Sequence, residues 1–476
     1  MAQAMRRASR LCLRSGAVAN GGPAGPGPVG VKTQTGCEVL SGSRRHAPWV
    51  IHCPQSGVRI SPDGTRPVPS KGACPMHHDL PTVAASGFRT ARLVDASLAD
   101  GRGATAPTAE RLDILLALDD LGIDAALIGY PAARPADLAL LEASRARCRQ
   151  LTRMVCAALA DAPVLADLLG RGGPTENGPP IEVVLECGTD PRLAEGADPV
   201  ALLTGAIIRL APRAPVWVEL AAIAAAAPEM LRSLVHAALA AGARGLILAD
   251  TTGRMLPAET AATIGMLRAI TGPAIPVIVA PADDLGLATA NALAGLAAGA
   301  DGVLGAIGGL GERAGLVPIE EVATAIRYRP DHVRLDHAID LAALVRTGMT
   351  IAERLSVDLG RNKALLGDYV FGTAAGLHQH GLLNHPITYE YLDPADFGRE
   401  RRILIGRHSG RAVLRARLTE AGINLDPAGL EAVYQAVMRS ADPERFNDTA
   451  ELVALHRRLS AGDAVAGPVA HVSQGA

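Results

Sequence analysis

The chain has 476 residues, 49% of them hydrophobic and 20% charged, and its formal net charge is −2. That near-neutral balance gives no electrostatic footprint for nucleic acid or an anionic membrane surface. No window of about 18 apolar residues lacks charge, so a membrane span is not expected.

The length suits about three domains, or one large α/β barrel with appendages. Aromatic residues make up only 3% of the chain, which leaves Ala, Leu, Val and Ile to build the core. Lysine is almost absent: Lys32, Lys71 and Lys363 stand against 43 arginines. Residues 72–362 therefore offer no amine for Schiff-base chemistry. The seven cysteines form no Cys-x-x-Cys pair and read as reduced thiols of a cytoplasmic protein.

In chain order, residues 1–87 come first, rich in Gly, Pro, Ser and Arg and without hydrophobic periodicity. They predict a disordered, low-complexity extension. Their Arg-rich, acid-poor start leaves two readings open, an organellar transit peptide or a dispensable tail. From residue 88 to 330, short apolar runs recur: RLVDASL (92–98), AALIGYP (125–131), TRMVCAA (152–158), IEVVLECG (181–188), VWVELAA (216–222), GLILADTTG (245–253), PVIVAPAD (276–283) and GVLGAIGG (302–309). Helical patterns such as 109–122 and 228–242 lie between them, with apolar residues at i, i+3, i+4. Eight strand–helix units predict an α/β fold, a (β/α)8 TIM barrel. A doubly wound sheet is the runner-up, but no GxGxxG follows the first strand.

Residues 331–460 predict a mostly helical post-barrel region, and 461–476 a frayed tail. Within the post-barrel region, 376–394 is irregular and dense in histidine, either a lid over the barrel or a solvated loop. Barrel chemistry sits at the C-terminal strand ends. Those positions hold Asp100, Tyr130, Glu186, Cys187, Glu219, Asp250, Thr251, Asp283 and Asp284.

Several of these segments form recognisable motifs. DASLADG (95–101), DDLGIDAALIGYPA (119–132), LADTTG (248–253), DDLGLATAN (283–291) and GGLGERAG (308–315) resemble the strand-end signatures of the homocitrate synthase and isopropylmalate synthase family. GLHQHGLL (376–383), TYE (388–390) and GRHSGR (406–411) resemble its post-barrel segments. The pattern looks most like the homocitrate synthases of nitrogenase cofactor biosynthesis, and so implies a link to nitrogen fixation.

The resemblance implies an acyltransferase catalysing a metal-dependent Claisen condensation. Acetyl-CoA loses a methyl proton, the carbanion attacks the ketone of a 2-oxo acid such as 2-oxoglutarate, and the thioester is hydrolysed. A divalent ion, Mg or Mn, would hold the 2-oxo acid and polarise its ketone. An arginine at the first strand end would stabilise the oxyanion. It also implies a dimer.

Against that pattern the chain keeps Asp100 as a metal-ligand position, Thr251 as a binding position, and His378 and Tyr389 as candidate catalytic residues; His408 also matches. The implied arginine is Ala99, the second strand's glutamate Leu127, the His-x-His pair Ala280 and Ala282, and the asparagine after GLGERAG Leu316. The polar run after strand 5 falls on AAIAA (221–225). A lone aspartate with water holds a divalent ion weakly. Losing one oxyanion donor alone costs about 10²–10³ in rate.

These departures predict a homocitrate synthase-like pseudoenzyme, a homodimer or a heteromer with an active homologue. Two alternatives stand beside it. One is an active synthase whose metal is held by Asp100, Glu186, Glu219, Asp250 and Asp283. The other is an acyl- or CoA-binding sensor. The retained residues have structural readings too: Asp100 bonds the turn before Gly101, Asp283 caps a helix, Glu312 and Arg313 form an ion pair, and His378 and Tyr389 pack.

Overall fold

The computed structural model describes residues 88–99, 101–171, 179–188, 196–221, 227–375, 378–379 and 390–461, together with three short strands nearer the N-terminus. Those strands, Val31–Lys32, Glu38–Leu40 and Val50–His52, pair antiparallel within the stretch that composition reads as low-complexity extension. They belong to a unit, residues 1–84, separate from 85–476.

The larger unit is a closed barrel of eight parallel strands. These are β1 (Arg92–Asp95), β2 (Ala125–Gly129), β3 (Thr152–Ala158), β4 (Ile181–Cys187), β5 (Val216–Leu220), β6 (Gly245–Asp250), β7 (Val277–Pro281) and β8 (Gly302–Gly305). Each lies inside one of the eight apolar runs. Pairing of β8 with β1, Gly302 opposite Arg92 through Gly305 opposite Asp95, closes the ring and decides for the barrel over the open sheet.

Eight helices follow the strands: α1 (Thr108–Leu121), α2 (Pro135–Ser144), α3 (Ala162–Arg171), α4 (Pro199–Leu210), α5 (Pro228–Ala240), α6 (Pro257–Thr271), α7 (Ala288–Ala297) and α8 (Ile319–Tyr328). Four of them, α2, α4, α5 and α6, begin on proline. There its missing N–H costs nothing and its fixed φ suits the first helical turn. The outer core between strands and helices is aliphatic, as the scarcity of aromatics requires.

A second cluster fills the barrel's interior, with Val94, Met154, Val184, Trp217, Ile247 and Ile278 among its members. Trp217 is its largest side chain, and Gly245 makes room for it: a Cβ there would fall 2.4 Å from the indole. The indole Nε1 donates to Glu182 at 2.8 Å, and Glu182 also pairs with Arg92 at 2.5 Å.

After the barrel, α9 (Leu341–Arg354) packs against α1 and α8. Three helices, α10 (Arg411–Glu420), α11 (Pro427–Arg439) and α12 (Thr449–Ser460), then share a core of their own, including Leu414, Leu418, Val433, Phe446 and Leu452. This agrees with the helical post-barrel region expected from sequence.

Candidate functional site at the barrel mouth

The C-terminal strand ends open onto a cavity of about 230 Å³. Its placement begins with a buried ion pair. Arg111 of α1 meets Asp137 of α2 at 2.8 Å, both side chains almost wholly out of solvent. Arg111 also donates to the Leu98 and Ile128 carbonyls, while Asp137 Oδ2 accepts the Tyr130 N–H at 2.7 Å. These bonds fix the end of β2, where the register with β3 slips between Leu127 and Gly129. Such an irregularity re-aims the side chains beyond it.

Tyr130 consequently lines the cavity, and its hydroxyl donates to Glu186 of β4. Burial, and then the neighbouring Cys156, Glu186 and Glu219, hold that phenol well above its ordinary pKa. Glu186 and Glu219 sit side by side in the register of β4 and β5 and both line the wall. Sequence inspection placed Tyr130 only at a strand end, because the partner lies 56 residues away.

Of the four strand-end carboxylates among the described residues, two are engaged in their own turns. Asp250 accepts from the Thr252 hydroxyl at 3.1 Å and the Met255 N–H at 2.7 Å, so it organises its own turn. Asp283 accepts the Ala288 N–H at 2.8 Å and so satisfies the first free N–H of α7 from outside the helix, in line with the capping reading although Leu287 holds the N-cap position itself. Among the described residues no group of three His, Cys, Asp or Glu side chains is placed to hold a metal ion. Asp100 and Tyr389 lie outside the described residues.

Thr251 lines the cavity, whereas His378 and His408 are exposed and do not. Beside His378, Gln379 is buried and donates to the Thr373 and Leu404 carbonyls.

The expected Glu312–Arg313 ion pair is corrected. Arg313 forks onto Asp284, at 2.8 and 3.0 Å, and its second nitrogen also reaches the Thr251 carbonyl at 2.6 Å. Arg313 has φ +50°, and Gly315 after it has φ +91° with no room for a Cβ, which would lie 1.9 Å from the Gly309 carbonyl oxygen. Within this loop the guanidinium meets the β7 loop and not its sequence neighbour.

The positions that the motifs mark as catalytic do converge. Ala249 and Ala280 are opposite in the β6–β7 register, and Ala282 bridges to Leu316. Ala99, Leu127 and Ala280 are buried in the interior cluster, with Leu316 packed against it. At these positions the cavity wall presents methyl and isobutyl groups, beside the polar Tyr130, Glu186, Glu219 and Thr251.

Comparison with known proteins gives this barrel its relatives. The HMGL-like family model matches residues 90–351, and the homocitrate synthase post-HMGL domain-like model matches 365–445. A 2-isopropylmalate synthase of Campylobacter concisus (strain 13826) is 32% identical over 370 residues, 75% of this chain and 73% of that protein. Those of Xanthomonas axonopodis pv. citri (strain 306) and Methylacidiphilum infernorum (isolate V4) are 32% and 30% identical, with 76% of this chain covered in each case and 72% and 74% of the relative. The chain thus belongs to the HMGL-like superfamily of homocitrate and isopropylmalate synthases.

Proposed function

We propose that this chain is a cytoplasmic, non-catalytic member of its family, homocitrate synthase-like in its motifs, acting as a partner subunit of a catalytically complete relative. One observation carries this reading. Five positions marked for Arg, Glu, His-x-His and Asn hold Ala99, Leu127, Ala280, Ala282 and Leu316, and these line one cavity. A divalent cation prefers several oxygen or nitrogen donors at fixed geometry. Alanine and leucine supply none; Glu186, Glu219 and Asp250 line the same cavity, but no three His, Cys, Asp or Glu side chains among the described residues are grouped to hold a metal, so the described residues do not fit the one the family implies.

The motif resemblance to homocitrate synthases points to 2-oxoglutarate as the family's 2-oxo acid, although the relatives at about 32% identity are isopropylmalate synthases. The nitrogen-fixation context and dimerisation rest on the same resemblance. No described helix is long and apolar enough to cross a membrane.

A second reading draws on the cavity itself. At about 230 Å³ with an aliphatic floor, it suits a short acyl group and not a whole CoA, and so favours ligand binding without turnover.

Manganese titration followed by electron paramagnetic resonance tests the central point. The wild-type chain is expected to leave the free-ion signal undiminished. Stoichiometric loss of that signal would show a metal site and end the proposal. Pairing is checked by co-purification of a tagged copy with an untagged active homologue, where absence of the homologue removes the partner-subunit role.

A further inference from the structure

Beneath the glycine-rich loop 308–315 lies a polar cluster that the cavity does not use. Glu320 and Glu321 open α8, and Lys363 reaches them from the post-barrel chain. Glu320 is fully buried. Its Oε2 accepts the Gly308 N–H at 2.9 Å, but its Oε1 has no hydrogen-bond donor. Glu321, by contrast, is served twice, by Lys363 Nζ at 2.7 Å and by the Thr289 hydroxyl of α7 at 2.6 Å. The same ammonium stands 3.9 Å from Glu320 Oε1, within Coulombic reach and outside hydrogen-bond distance.

One ammonium therefore faces two carboxyl groups, and only one of them is bonded to it. An ionised Glu320 would place one negative charge in excess on the buried member of a cluster whose Lys363 and Glu321 are only partly exposed, which is disfavoured. A protonated Glu320 removes that excess.

We propose that Glu320, Glu321 and Lys363 form a proton-operated clasp. Lys363 is held by Glu321 alone while Glu320 carries a proton, and bridges both carboxylates when Glu320 ionises. The bridge draws the post-barrel chain onto the loop that carries Arg313 and Leu316 at the cavity. The charged groups facing Glu320 are Glu321 on its own helix and Lys363 from the post-barrel chain. The Gly308 N–H faces it from the loop, and α7 contributes only the Thr289 hydroxyl, which engages Glu321. Burial pushes the Glu320 carboxyl up to about 7, against the pull of Lys363 and the Gly308 N–H, which places the transition in the neutral range.

Scarcity of lysine makes the test direct. Acetic anhydride labelling of the full chain, read by mass spectrometry, reports Lys363 against Lys32 and Lys71 as internal references. As pH rises through about 7, relative labelling of Lys363 is expected to fall severalfold, because a second ion pair engages its ammonium. In Glu320→Gln that fall is absent.

Thermal unfolding gives an independent reading. Glu320→Gln is expected to raise the melting temperature by a few degrees at about pH 8.5 and to leave it unchanged near pH 5. A merely structural Glu320 would move neither the labelling profile nor the pH dependence of that difference. Relative labelling of Lys363 that stays flat with pH in the wild-type chain would overturn the clasp, even if the variant failed to fold.

Discussion

Asp95 lies fully buried where β8 meets β1, and its carboxylate accepts the Ser97 N–H and hydroxyl at 2.9 Å and the Ile307 N–H at 3.2 Å. Burial pushes its pKa up to about 6, against the pull of those three bonds. The unfolded group titrates near 3.8, so the folded chain binds the extra proton between the two values. This contribution to stability is greatest below about 3.8 and is lost as pH rises through about 6. Asp95→Asn should flatten that dependence in urea melts taken from pH 4 to 7. It should also cost about 1–3 kcal/mol, because the amide turns a donor toward N–H groups that need an acceptor. An unchanged pH slope would remove Asp95 as its source.

Among the elements, the Arg111–Asp137 pair joins α1 and α2 to the end of β2 and so sets where Tyr130 enters the cavity. Removing one member of a buried pair strands the other charge, a loss of about 3–5 kcal/mol. Arg111→Met is expected to lower stability by that order, and Arg111→Met with Asp137→Leu to recover much of it, as read by denaturant midpoints. A double variant no better than the single would place the cost in packing.

The eight strands were legible because each buried strand is an unbroken apolar run with a helix-period segment after it. The pair was not. Arg111 sits in a helix pattern where a charge reads as solvated, and its partner is 26 residues on. The Arg313–Asp284 fork is illegible for the same reason, whereas Asp283 is legible as a cap because a helix follows it directly in sequence. Local sequence signals capping and periodicity; it does not signal which distant carboxylate closes on which arginine.

At the scale of the whole molecule, the barrel and the three-helix unit keep separate hydrophobic cores. Leu418 is wholly buried in the latter, and Leu418→Ala is expected to cost about 2–5 kcal/mol. Hydrogen exchange should show that cost as lost protection in α10–α12 while β3 to β6 stay protected. Equal loss in both would mean that the two cores unfold as one.

The same division bears on the site. Fold-bearing residues such as Asp95, Gly315 and Arg313 persist in bonded or sterically required roles, and the motif-marked polar positions are apolar. That contrast was visible in the sequence as Ala99, Leu127, Ala280, Ala282 and Leu316. What the fold adds is that these positions converge on one cavity.

The most direct test of this account is release of CoA thiol from acetyl-CoA by the purified full chain, with 2-oxoglutarate and a panel of other 2-oxo acids, in Mg²⁺ or Mn²⁺. The account predicts no metal-dependent release above the blank. Metal-dependent turnover of about 1 s⁻¹ or more, the lower end of ordinary enzyme rates, would contradict it.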